Sequence, residues 1–147
     1  MPRPPKGDAL LGLIVELELA LKEQLGKAKS RQIAKMTDQY LSPPQYLQQL
    51  EHIMGGSYED MAPYHTCFHP HYYFDALSNA WPCFEPHVFV YVNPPFSLAA
   101  AFLYKALLEV LQTGIQVALL IPTHLFTARR QEMWKQVEAL PHLEASY

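Results

Sequence analysis

His87-Val-Phe-Val-Tyr-Val-Asn-Pro-Pro-Phe-Ser97 is the segment on which the architecture turns. Val88 to Val92 are all apolar or aromatic, with no polar residue interleaved. A strand with one solvated face alternates; an unalternated one is buried on both faces, as in a parallel sheet covered by helices. Asn93-Pro94-Pro95 then ends the ladder, because proline has a fixed φ and no N–H to donate. Leu98 to Gln112 follows as an almost wholly apolar helical segment. Gly114 separates it from a second apolar run, Ile115 to Ile121, and Thr127 to Leu140 reads as a helix with a charged face. This order of strand, helix, strand, helix predicts an α/β domain with a short, mostly parallel sheet flanked by helices.

Upstream, Asp8 is placed to cap a helix over about Ala9 to Leu25, with Gly26 expected to end it. Leu10, Ile14, Leu17 and Leu21 share one face, and Leu11, Val15 and Leu19 widen the apolar stripe. So apolar a helix is expected to bury itself against the domain, a second copy or a partner subunit. Lys27 to Lys35 is basic, and divides between a solvated helix face and a phosphate contact. Residues 1–36 therefore read as an N-terminal helix and basic segment, and 37–147 as the α/β domain. In the latter, Tyr40-Leu-Ser-Pro-Pro44 turns into a helix over Gln45 to Met54, stopped by Gly55-Gly56. A short strand is expected around Ser57 to Met61, and residues 62–86 look irregular.

At 147 residues, half hydrophobic and 17% charged, the chain can bury a substantial core. A net charge of -3 excludes a uniformly basic nucleic-acid binder. Seven of the 11 Lys and Arg residues precede residue 36, and none lies between Met36 and Tyr104. Cys67 and Cys83 make no secreted disulfide framework, which points to a reducing intracellular compartment: cytoplasm, bacterial or host, or nucleus. The apolar run Ala9 to Leu21 is too short to span a bilayer and is broken by Glu16 and Glu18, so no membrane association is expected.

The turn after the first apolar strand has the parts for work on a nucleobase. An exocyclic amine is a poor nucleophile, because its lone pair is delocalised into the ring. Accepting hydrogen bonds from both of its N–H groups draws the nitrogen toward tetrahedral geometry and frees that pair. The Asn93 side-chain carbonyl and the Pro94 backbone carbonyl are two such acceptors. Pro94 and Pro95 stiffen the turn, and Phe96 offers a face on which an extruded base stacks. The carboxyl end of a parallel strand is also where open α/β sheets bind ligands. Methyl transfer from a sulfonium donor needs positioning and electrostatics rather than an acid–base pair.

Several segments, in order, resemble the phage-type, Dam-like DNA N6-adenine methyltransferase family, over about Thr37 to Trp134. Tyr40-Leu-Ser-Pro-Pro-Gln-Tyr-Leu47 resembles the family's Trp/Tyr-x-Thr-Pro-x-x-hydrophobic opening. Gly56-Ser-Tyr-Glu-Asp-Met-Ala62 is similar to the strand ending in Asp-Pro/Val-Ala-Ala. Asp75-Ala-Leu-Ser-Asn-Ala-Trp81 looks like the Asp-Ala/Gly-Leu-x-x-x-Trp segment. Val88 to Ser97 is similar to the catalytic strand and its Asn-Pro-Pro-Tyr/Phe turn, and Val117 to Pro122 to the strand after it. The resemblance implies a Rossmann-like methyltransferase fold, DNA as partner and S-adenosylmethionine as methyl donor. It implies Asn93, Pro94, Pro95 and Phe96 as the catalytic turn, and Ser42, Pro43, Asp60 and Ala62 around the donor.

The chain departs from that pattern in places. Met61 and Pro63 replace the family's usual residues after the motif Asp, and His124 stands near the place of the Arg usual after the Val117 to Pro122 strand, with Arg129 and Arg130 further on. The family's last strands are expected to be missing after Tyr147. These departures leave open an inactive, methyltransferase-like subunit with a binding or structural role.

His65, Cys67, His69, His71, Cys83 and His87 are zinc-ligand types, but their spacing fits no common zinc signature, and no metal is expected. A zinc-binding adaptor is the third reading that this loop allows. Trp81 and Trp134 read as core aromatics.

Overall fold

The computed structural model describes residues 6–29, 43–61, 76–81, 85–94, 98–125 and 127–138. Helix α1 spans Lys6–Lys29 and α2 Pro44–Met54; strand β1 is Ser57–Asp60 and β2 Val88–Val92. Helix α3 (Ala99–Thr113), strand β3 (Val117–Leu119), a 3-10 turn at Thr123–Leu125 and helix α4 (Ala128–Glu138) follow. The architecture is mixed helix and sheet. Among the described residues the sheet is open, three-stranded and parallel throughout, in the order β1-β2-β3.

Strand β2 lies in the middle, as its unalternated sequence predicts. Phe89, Val90, Tyr91 and Val92 are all buried. Alternation sends them to two different environments. Val90 and Val92 join the main core, built from α1, α3, α4 and Leu77 and Trp81 of the β1–β2 connection. Phe89 and Tyr91 face the other way. There Tyr58 of β1 stands 6.2 Å from Phe89 and 5.8 Å from Tyr91, ring centre to ring centre, and Tyr46 of α2 stands 6.4 Å from Tyr91.

Helix α3 is buried on every side from Ala99 to Glu109. A helix apolar all round has no solvent face to offer. Leu13, Leu17, Ala20 and Leu21 of α1 belong to the same core, so the N-terminal helix is part of the domain's packing. Two charges are buried within α3: Lys105 Nζ lies 2.8 Å from Glu109 Oε1. That carboxylate oxygen also accepts the backbone N–H of Trp81 at 3.2 Å, and the Trp81 indole N–H donates to the Ala76 carbonyl at 2.8 Å. The connection before β2 is thereby fastened to the helix after it. Trp81 is a core aromatic, while Trp134 packs half-buried at the core's margin.

Two boundaries differ from expectation. Helix α1 begins before Asp8 and runs through Gly26 to Lys29. Gly26 does not take the left-handed conformation that terminates helices; among the described glycines only Gly55 and Gly114 have positive φ. Strand β3 is shorter than the apolar run Ile115 to Ile121, because ladder bonds to β2 hold only Val117–Leu119 in strand form. No helix among the described residues is long and apolar enough to cross a membrane.

Candidate active site

Asp60 is the last residue of β1 and pairs in register with Tyr91 of β2. The Met61 N–H continues that ladder by donating to the Tyr91 carbonyl at 3.1 Å. Asn93 is the first residue after β2, two positions beyond Asp60's partner. With strands about 4.8 Å apart and a rise of about 3.3 Å per residue, the two Cα atoms lie roughly 8 Å apart along the carboxyl edge. The parity of side chains carries a second relationship. Tyr58, Asp60, Phe89 and Tyr91 alternate onto the sheet face that meets Tyr46 of α2, and Asn93 follows Tyr91 by two positions, just past the strand end.

Asn93 and Asp60 are half-buried, and each has an interaction within the fold. Pro94 is fully buried. Its lack of an N–H is what allows burial at the end of a ladder without an orphaned donor. The turn leads toward α3, whose first residues, Ala99 to Ala101, are buried. It is held laterally by β3, where the Leu120 N–H donates to the Val92 carbonyl at 2.9 Å. An amide-bearing residue and a carboxylate-bearing residue thus stand at the carboxyl ends of two neighbouring strands. Such a pair offers hydrogen-bond acceptors at one end and negative charge for a cationic group at the other.

Pro43 is exposed and immediately precedes α2. Helix α2 returns into β1 through Gly55, in the left-handed region at φ 72, and Gly56. Tyr46 meets Tyr91 near the carboxyl end of β2, so α2 runs back along the sheet. The Pro43 end therefore lies toward Asp60 and Asn93. Ser42, Ala62, Pro95 and Phe96 lie outside the described residues, as do His65, Cys67, His69, His71 and Cys83. His87 is exposed, with Nε2 3.4 Å from Glu85 Oε2. No group of three or more His, Cys, Asp or Glu among the described residues is arranged to hold a metal ion.

Arg129 and Arg130, which follow Ile121-Pro122, are committed elsewhere. Arg130 Nε donates to the Tyr104 hydroxyl at 3.1 Å and its Nη1 to the Leu125 carbonyl at 2.7 Å, with the guanidinium 5.8 Å from the Tyr104 ring centre. Arg129 reaches Glu23 at 3.6 Å. Hydrogen bonding and charge from Lys27, with a smaller part from Arg129, hold the Glu23 carboxyl below its ordinary range. A surface hollow of about 580 Å³ lies on the outer face of α2, lined by Gln45, Gln48, Gln49, His52 and Ile53, and includes neither Asp60 nor Asn93.

Tyr46 went unnoticed in the sequence as a site residue. Its signal was the aromatic two positions after the Pro43-Pro44 pair, but only the contact with Tyr91 locates it. No protein-family model, curated protein or solved structure matches the chain.

Proposed function

We propose that the carboxyl edge of β1 and β2 transfers the methyl group of S-adenosylmethionine to the exocyclic N6 of adenine in DNA. The observation that supports this reading is the pairing of Asp60 with Tyr91, which sets a carboxylate at the end of β1 beside the end of β2, where Asn93 follows. Asn93 Oδ1 and the Pro94 carbonyl accept from the amine, and Phe96 stacks the extruded ring. Asp60, with the Ser42-Pro43 turn and Ala62, borders the cationic donor. A donor and an acceptor side by side are what direct displacement at a sulfonium methyl requires. The amine nitrogen forms the new bond to the methyl carbon, the carbon–sulfur bond breaks onto sulfur as S-adenosylhomocysteine leaves, and the amine proton passes to solvent. Rossmann-like architecture and the donor belong to this same proposal. The test is Asn93→Ala: transfer of labelled methyl to adenine falls at least about 100-fold, while calorimetry still shows saturable donor binding. Unchanged transfer sinks the assignment.

A specific observation favours a second reading, an inactive subunit that binds a partner. Leu11, Val15 and Leu19 of α1 lie 61%, 54% and 62% exposed. Spaced four apart, they form one apolar stripe facing away from α3. The same calorimetry separates the readings, because the inactive subunit takes up no donor.

A further inference from the structure

We infer that α2 is a lid, turning about Gly55 and closing Tyr46 over an adenine ring held beside Asn93. The identity of the ring rests on the methyl-transfer reading, and the motion on the structure of α2. Helix α2 contains no fully buried residue. Its inward residues, Leu47, Leu50 and Met54, are only half-buried, and none joins the main core. Its outward residues, Gln45, Gln48, Gln49, His52 and Ile53, are exposed. Helix α3, by contrast, is buried for eleven consecutive residues, Ala99 to Glu109. Elements with little buried apolar contact open at low free-energy cost.

The two ends of α2 differ. At its start Pro43 makes no side-chain cap bond, leaving the first N–H groups unheld by one. At its far end Gly55 and Gly56 both donate to the Glu51 carbonyl, at 2.9 and 3.2 Å. Gly56 is then fixed, because a Cβ there would overlap the His87 carbonyl oxygen and the next residue, Ser57, donates to that same oxygen. Gly55 is the joint between a light helix and an anchored strand: nothing crowds it, only the Glu51 carbonyl bonds hold it, and glycine is the residue whose backbone turns most cheaply.

The moving end carries the aromatic. Tyr46 lies against Tyr91 at 58° between rings and stays 37% exposed. Tyr91 pairs with Asp60 and precedes Asn93 by two positions, so Tyr46 stands on the proposed site's own face. A tyrosine so placed stacks on a planar ring through its open surface. Adenine is present in both the donor and the DNA, and the response of α2 to each ligand tells the two apart.

Hydrogen exchange on the full chain tests this. In the free protein, α2 amides are expected to exchange about 100-fold faster than those of α3. Saturating S-adenosylmethionine alone slows α2 if the ring is the donor's; slowing only with an adenine-containing oligonucleotide assigns it to the substrate. Tyr46→Phe keeps the slowing. Tyr46→Leu abolishes it and weakens the same ligand about tenfold. Free-state protection of α2 equal to that of α3 overturns the lid, as does bound ligand that leaves α2 exchange unchanged. If neither ligand binds the unaltered protein, both the methyl-transfer reading and the closure fall. The looseness of α2 is then judged by the free-state rates alone.

Discussion

The Glu109 carboxylate accepts the Trp81 backbone N–H while holding the Lys105 ammonium 2.8 Å away, both groups inside the core. Burying two charges is costly, and removing one partner strands the other. Lys105→Met or Glu109→Ala is therefore expected to destabilise the protein by about 3–5 kcal/mol. The double replacement Lys105→Met with Glu109→Leu should recover most of that loss. Urea unfolding followed by tryptophan fluorescence, from Trp81 and Trp134, measures all three. A double variant as unstable as the singles would show that the Trp81 hydrogen bond, not the charge pair, matters most.

Neighbouring glycines should respond differently. Gly56→Ala drives a methyl into the His87 carbonyl, a backbone group in the β1–β2 ladder that cannot step aside. A loss of about 2–3 kcal/mol is expected, with slippage of β1 visible as lost amide protection at Ser57. Gly55→Ala meets open space and carries only the left-handed backbone penalty, about 1 kcal/mol. Equal losses at both positions would contradict the close approach of Gly56 to the His87 backbone.

Asp60 and Asn93 should separate kinetically. On the proposed methyl-transfer reading, Asp60→Asn removes negative charge from the donor side and is expected to raise the donor's KM about tenfold with kcat little changed. A variant whose kcat falls while KM stays fixed would place Asp60 with the base instead.

Glu23 gives a pH signature. Its carboxyl is held low in the fold by Lys27 first and Arg129 second. A depressed carboxylate contributes stability that is complete above its unfolded pKa and lost as pH falls through its folded pKa. The link between α1 and α4 should therefore weaken only in acid, below the ordinary carboxylate value of 4.5. Arg129→Ala should move the Glu23 midpoint slightly upward in an NMR titration, and Lys27→Ala further. The reverse ranking would overturn the assignment of causes.

The order of elements was legible because each carries its own local signal. Val88 to Val92 show unbroken apolarity, Gly55 and Gly114 mark helix ends, and Ala99 to Leu108 carry one charge, Lys105, among apolar and aromatic residues. Gly26 misled, since a glycine stops a helix only where the chain turns left-handed, and composition does not reveal φ. Asp60 and Asn93 both stand out in the sequence as site residues, yet their proximity at one sheet edge is not legible there. It depends on the register Asp60↔Tyr91, a contact between segments 31 positions apart. The exposure of Leu11, Val15 and Leu19 was hidden for a similar reason. A helix apolar on most sides does not disclose which side its neighbour takes, and α3 takes the side of Leu13, Leu17 and Leu21.

The burial of α3 on all sides has a mechanical consequence. A rod clamped around its whole circumference neither slides nor rolls, and buried Pro94 lies only a few residues ahead of it in the chain. Across from it stands a helix resting on half-covered leucines. The molecule is thus built like a vice, with the amide on the stationary jaw and the tyrosine on the travelling one.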